Sequence, residues 1–211
     1  MTRTVWPILI FLLIGICGCG CHQPVGELVD DPEQFAALLR RYQRPDALKV
    51  VFRTLVVWPG REVSLVEVVK VFPEGGFAVA GITDVGNTLY AVRIDSGGQS
   101  NVVSKSLPFS NKWLLEGLVA ELLVPWRGPD QRGELYRLDE GPLALIRQQD
   151  RATLVFVFDE GGQWQQFRRF SGCGLRSQTL LEWDGGSVPA VMRTDNLDNR
   201  YHVVRERVST D

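Results

Sequence analysis

The chain is poor in the residues and patterns that usually announce chemistry. Its 211 residues include two histidines, His22 and His202, and four cysteines, three of them crowded at positions 17, 19 and 21. Zinc sites usually draw four ligands from Cys, His and carboxylates, and outside that run only Cys173, His22 and His202 could supply nitrogen or sulfur. Covalent haem attachment needs Cys-x-x-Cys-His, but Gly18 stands where the first cysteine of a motif ending in Cys21-His22 would be. Ile94-Asp95-Ser96-Gly97-Gly98 lacks the first glycine of a nucleophile elbow. Gly172-Cys173-Gly174 lacks the third glycine of a dinucleotide fingerprint, and there is no phosphate-binding loop. Asp195-Asn196-Leu197-Asp198-Asn199 departs from the calcium-loop spacing and reads as a hairpin turn. Net charge is −2, without the basic excess of a nucleic-acid binder. No internal repeat of constant period occurs. The expectation is a protein that is not an enzyme and uses no cofactor, metal or nucleic acid.

What is present begins at the N-terminus. Arg3 is followed by Val5 to Ile16, twelve residues without a charged or hydrogen-bonding aliphatic side chain, and then by Cys17-Gly18-Cys19-Gly20-Cys21. A membrane-spanning helix needs about 20 apolar residues, so the run reads as a secretory signal. Ile16-Cys17-Gly18-Cys19 resembles a lipoprotein cleavage box, which makes residues 1–18 the signal peptide and Cys19 the acylated residue. Cys21, preceded by Gly20, is the alternative. Two or three acyl chains on one cysteine make a lasting tether, where one alone is marginal. The expected address is the bacterial cell envelope, with a palmitate-type lipid anchor. Gly20 in place of an aspartate points to the outer membrane, facing the periplasm. Removing 18 of 211 residues leaves 193, enough for one domain with a sizeable core. Cys21 and Cys173 could pair in an oxidising compartment, or Cys173 could be a lone buried thiol; the second is the expectation, because Cys21 lies in a tether.

Residues 19–30 read as that lipidated tether and 31–208 as the folded domain. Asp31-Pro32-Glu33 is an N-cap followed by proline and an acid, and Phe35, Leu38, Leu39 and Tyr42 share one face, so a helix is expected over Pro32 to Gln43. Runs rich in Val, Phe and Leu between Pro-Gly, Gly-Gly and Gly-Asn turns then predict strands at Leu48 to Trp58, Glu62 to Phe72, Phe77 to Thr83, Thr88 to Ile94 and Ser100 to Ser104. Apolar residues on both faces of Leu48 to Trp58 suggest that both faces are covered. A second helix is expected over Ser110 to Val124, capped by Ser110 and stopped by Pro125, with Gly117 marking a close approach to the sheet. Strands follow at Glu134 to Leu138, Leu143 to Gln148, Thr153 to Phe158, Trp164 to Phe170, Ser177 to Trp183, Val188 to Arg193 and Tyr201 to Val208.

This order of helix, five-strand meander, helix and further strands resembles the LolA/LolB-like family of bacterial lipoprotein carriers and receptors, especially its uncharacterised LolB-like relatives. The likeness is carried by Phe77 to Asp95 (FAVAGITDVGNTLYAVRID), by the helix ending in Val124-Pro125-Trp126, and by Ser187 to Met192 with Tyr201 to Val204. It implies a mainly β (α+β) fold, a half-open antiparallel β-barrel with helices covering or plugging its concave face. It further implies an apolar cavity for lipid or lipoprotein acyl chains, held by many weak contacts at about 25 cal/mol per Å². Candidate lining residues are Phe52, Val69, Phe77, Leu118, Leu122, Phe156 and Phe158. The matching membrane-facing loop is Gly81 to Gly86, with Ile82 or Val85 as the exposed aliphatic side chain. The alternative is a lipid-anchored scaffold or protein-interaction module whose core is simply filled.

Overall fold

The computed structural model describes residues 26–41, 47–108, 110–128, 133–139, 141–149 and 151–211. The signal segment, Cys19, Cys21 and Tyr42 lie outside them.

Among the described residues the strands form one antiparallel sheet of thirteen. They are β1 (Gly26–Leu28), β2 (Leu48–Trp58), β3 (Arg61–Val71), β4 (Phe77–Ile82), β5 (Thr88–Ile94), β6 (Ser100–Lys105), β7 (Glu134–Leu138), β8 (Leu143–Gln149), β9 (Ala152–Phe158), β10 (Trp164–Ser171), β11 (Gly174–Glu182), β12 (Val191–Asn196) and β13 (Tyr201–Thr210). The spatial order is β1-β7-β8-β9-β10-β11-β12-β13-β2-β3-β4-β5-β6. Most neighbours are therefore consecutive hairpin partners, as a meander built from local turns requires. Two pairings are not local. β13 runs antiparallel to β2 from His202 opposite Val57 to Thr210 opposite Val50 and joins the two halves of the chain. β1 pairs with β7, Gly26 opposite Leu138. β1 and β6 do not meet, so the sheet stays open along one side. This is the expected half-open barrel.

Register decides what faces inward. Val50, Phe52, Thr54 and Val56 of β2 are buried, whereas the alternate residues 49, 51, 53, 55 and 57 are exposed or half-buried. The expectation that both faces of this strand are covered is thus corrected: on its outer face Val51 and Val57 are half-buried and Leu55 is exposed. The inward residues join Val69, Val79, Tyr90, Phe158, Trp164 and Val203 in one core. A smaller cluster, Ala144, Val155 and Phe170, sits apart from it.

Helix α1 (Pro32–Arg41) starts where its cap predicts. Asp31 Oδ1 accepts from the amides of Glu33 at 3.0 Å and Gln34 at 2.9 Å. Residues 111–127 form a second helical segment, α over Asn111–Trp113, π over Leu114–Val119, α over Ala120–Leu122, and a last turn Val124–Arg127. Ser110 caps it, its side chain accepting from the Trp113 amide at 3.1 Å. Pro125 does not stop it. Leu123 departs to ψ −1, and Val124 begins a new turn in which proline needs no amide partner.

Three further boundaries differ from the sequence reading. Gly26–Leu28, placed in the tether, adds a strand to the sheet edge. β11 begins at Gly174, because the turn before it is tight. β12 begins at Val191 rather than Val188, since Pro189 has no amide for a ladder and the Val188 carbonyl accepts from Arg207 Nη1 at 2.6 Å.

Successive strands alternate in direction, so the turns after β2, β4, β8, β10 and β12 gather at one end of the sheet. Arg151, the Ser171–Gly174 turn, Leu197 to Arg200 and the Val85 tip share that end.

Candidate functional site

The helical segment 111–127 lies across the concave face, and Leu114, Leu118, Val119, Leu122 and Leu123 fill the space beneath it. Gly117 lies within the π-helical turn. A Cβ placed there would come within 2.9 Å of Tyr201 Oη, so glycine is what lets the helix approach β13 this closely. Trp113 packs edge-on to the same tyrosine, with ring centroids 4.9 Å apart. Trp126, at the far end, meets the Phe52 ring edge-on at 6.2 Å.

Two buried polar groups fasten helix to sheet. In the first, Arg205 of β13 and Glu67 of β3 are both fully buried, and Arg205 Nε donates to Glu67 Oε2 at 2.6 Å. Thr54 Oγ1 donates to the same oxygen at 2.8 Å, and the Tyr90 hydroxyl donates to Oε1. Arg205 Nη2 reaches over to the carbonyl of Leu118 at 3.1 Å. The guanidinium thereby ties the helix backbone to two strands. Burial disfavours its charge, but the Glu67 carboxylate and its hydrogen bond more than offset this and hold its pKa above the ordinary value. Burial, reinforced by Glu67, pushes the Tyr90 phenol well up.

In the second group Glu121 of the helix accepts from Asn196 Nδ2 at 2.6 Å and from the Tyr201 hydroxyl at 2.5 Å. Burial raises the Glu121 carboxyl above the usual range, against the opposing hydrogen bonds of Tyr201 and Asn196. Burial and the adjacent Glu121 raise the Tyr201 phenol. Asn196 also caps its own turn, its Oδ1 accepting from the Asn199 amide at 2.8 Å. The hairpin turn expected over Asp195 to Asn199 is found at Leu197 to Arg200, because Asp195 and Asn196 still pair with His202 and Tyr201 in the β12–β13 ladder.

Beside this second group a cavity of about 260 Å³ opens between helix and sheet. Ala120 and Val124 of the helix and Leu154, Phe156 and Phe167 of the sheet make its apolar wall; Glu116, Glu121, Arg147 and Arg169 bring charge to it. Of the seven candidate lining residues, Phe156 alone lines this cavity. Phe52, Val69, Phe77, Leu118, Leu122 and Phe158 are brought together as expected, but they are packed into the continuous core under the helix. Ile82 and Val85 are separated by the structure. Ile82 is half-buried at the end of β4, whereas Val85 is 82% exposed at the tip of the β4–β5 turn.

The polar fasteners were not among the candidates, although their register betrays them. Glu67 falls on the inward period of β3 with Leu65, Val69 and Val71, and Arg205 falls on that of β13 with Tyr201 and Val203. A charge on an otherwise apolar face calls for a partner of opposite sign on a neighbouring strand. Cys173 is likewise corrected: it is exposed and disulfide-bonded, not a lone buried thiol. The other three cysteines lie outside the described residues.

No helix among the described residues is long and apolar enough to cross a membrane. No family model matches the chain, and no curated protein matches it by sequence. Solved structures do. A LolA superfamily protein from Nitrosomonas europaea superposes with a TM-score of 0.50 at 10% identity, covering 83% of this chain and 92% of that one. A putative outer membrane lipoprotein-sorting protein domain from Vibrio parahaemolyticus superposes at 0.50 with 9% identity, covering 84% and 90%. A DUF1329 family protein from Desulfovibrio piger gives 0.46 at 9% identity, covering 84% and 91%. The chain thus has the fold of LolA superfamily and lipoprotein-sorting structures, an unclosed antiparallel sheet with a helix across its hollow face.

Proposed function

We propose that this protein is a membrane-anchored bacterial envelope lipoprotein that binds lipid or lipoprotein acyl chains between the 111–127 helical segment and the concave face of its sheet. It acts as a binding protein and not as an enzyme. The observation that carries the reading is the cavity at the helix–sheet seam, whose lining is partly apolar, from Ala120, Val124, Leu154, Phe156 and Phe167, and partly charged. Such a space favours an acyl chain through contact area, at about 25 cal/mol per Å² removed from water. The fold shared with a lipoprotein-sorting domain supports it. Anchoring is through acyl chains on Cys19, with Cys21 as the alternative site, and residence is in the outer membrane facing the periplasm. Val85, exposed at its hairpin tip, would meet the bilayer during transfer.

A second reading, a lipid-anchored scaffold without a ligand, is favoured by the filled core around Phe52, Val69, Phe77, Leu118, Leu122 and Phe158. Displacement of a fluorescent fatty acid separates the two. Protein beginning at Cys21 is expected to bind the probe, and Ala120→Trp, which fills the cavity from the helix side, is expected to abolish binding while leaving the melting curve cooperative. Probe binding that survives Ala120→Trp would move the site elsewhere, and no binding by either protein would leave the scaffold. Replacing Cys19 by Ala is expected to release the protein from membranes. Persistent anchoring would assign the acyl chains to Cys21 or remove the lipoprotein reading.

A further inference from the structure

The cavity does not end at its apolar wall. A second hollow, of about 330 Å³, adjoins it and shares Gln149 and Arg169 with it. Its lining adds Arg151 and Arg176 to the Arg147 and Arg169 already at the first cavity. Four arginines from β8, β10, β11 and the turn before β9 thus converge at one end of the sheet. The acid among them is Asp198, which accepts from Arg176 Nη1 at 2.9 Å and stands 3.8 Å from Arg169 Nη2. Arg147 Nη2 donates to Gln149 Oε1. Glu116 and Glu121 line the helix side of the first cavity, and Glu121 is engaged by Asn196 and Tyr201.

We infer that this pair of hollows binds a single-chain anionic lipid, its acyl tail against Leu154, Phe156 and Phe167 and its carboxylate or phosphate head at Arg147, Arg151, Arg169 and Arg176. The inference rests on the cargo reading above and narrows it. An apolar wall leading directly into an arginine cluster matches the two ends of such an amphiphile. Guanidinium is the side chain whose paired donors fit a carboxylate or phosphate. Volume sets the number of chains. Each hollow is near the lower end of the roughly 300–1,000 Å³ usual for small-molecule sites, which suits one chain and one head rather than a diacyl or triacyl lipid. Position is consistent, since the arginines lie at the sheet end shared by the Val85 tip. Asp198 balances only part of the positive charge that Arg147, Arg151, Arg169 and Arg176 bring to this border, so an anionic head gains a charge-assisted contact that a neutral head does not.

Photolabelling tests this on the full chain in phosphatidylcholine nanodiscs. A diazirine fatty acid and the corresponding diazirine fatty alcohol share a tail and differ in the charge of the head. The acid is expected to label peptides of β9 and β10 about tenfold more than the alcohol, a ratio equivalent to about 1.4 kcal/mol. Arg147→Gln combined with Arg169→Gln is expected to bring that ratio to near one, and 0.5 M salt should reduce it in the unaltered protein. The salt series and the exposed-site variant Arg151→Gln keep the test decisive if the double variant does not fold. Equal labelling by acid and alcohol would overturn the anionic preference while leaving the cargo reading standing. Labelling by neither would end both. Inorganic phosphate at probe concentration is expected to leave labelling unchanged; complete competition by phosphate would make the cluster a free-anion site and overturn the lipid assignment.

Discussion

Glu67→Gln removes one charge from a pair that has no access to water. Arg205 would keep its positive charge with 0% of its surface exposed, losing the carboxylate 2.6 Å from Nε and retaining the Leu118 carbonyl at 3.1 Å. Breaking a buried pair from one side costs about 3–5 kcal/mol, because the remaining ion is left uncompensated. The glutamine also offers one acceptor oxygen where Thr54, Tyr90 and Arg205 all donate to the carboxylate. For a chain of this size each kcal/mol lowers Tm by about 2–4 °C, so a fall of about 6–20 °C is expected in a thermal melt followed by circular dichroism. The companion Glu67→Leu with Arg205→Met removes both charges and should recover most of the loss, since apolar replacement of a whole buried pair is often neutral or better. A Glu67→Gln protein that melts within about 2 °C of the original, or a double variant no more stable than the single one, would refute the reasoning.

Gly117→Ala should gain about 1 kcal/mol in helix propensity yet lose about 1–3 kcal/mol where the new methyl meets Tyr201 Oη at 2.9 Å, so urea unfolding should show no gain. A stabilised protein would mean that Tyr201 gives way freely. Glu121 has a folded pKa raised above its unfolded value, so its contribution is fully present below the ordinary carboxylate range and is lost as pH rises through the raised folded value. Glu121→Gln, whose amide can still pair with Tyr201 and Asn196, is therefore expected to gain on the original protein as pH rises from acid towards neutral, read as a growing Tm difference; a constant difference would contradict it. Cys173 should resist alkylation until a reductant is added, and intact-mass measurement would show a free thiol at 173 if its bonding is wrong.

Much of the fold was legible because it is made of local signals. Strands β2, β5 and β7 begin and end where turn residues and apolar alternation place them, and the Asp31 and Ser110 caps are both occupied as their side chains imply. Gly117 stood out as a glycine spending helix propensity, and Tyr201 is its reason. Misreadings arose where a distant partner decides. Gly26–Leu28 has no alternation of its own and becomes a strand only because β7 offers an open edge. Pro125 reads as a stop, but the backbone had already turned at Leu123. The seven cavity candidates are all buried, but burial does not distinguish a packed side chain from one facing empty space; that depends on how deeply 111–127 sinks. Contacts that set that depth join distant residues, such as Arg205 reaching Leu118, 87 apart in sequence, and Glu121 accepting from Asn196 and Tyr201. The arginines at the site were hidden for the same reason, being scattered from 147 to 176 and gathered only by sheet order.

The central claim is that an acyl chain occupies the seam between the 111–127 segment and the sheet. Its most direct test is lipid extraction and mass spectrometry of the protein purified from bacterial envelopes beside its Ala120→Trp variant, both carrying Cys19→Ala so that covalent acyl groups do not contribute. Close to one acyl chain per protein is expected in the first and a loss of at least tenfold in the second, with both proteins folded. Equal lipid in the two, or none in either, would contradict it.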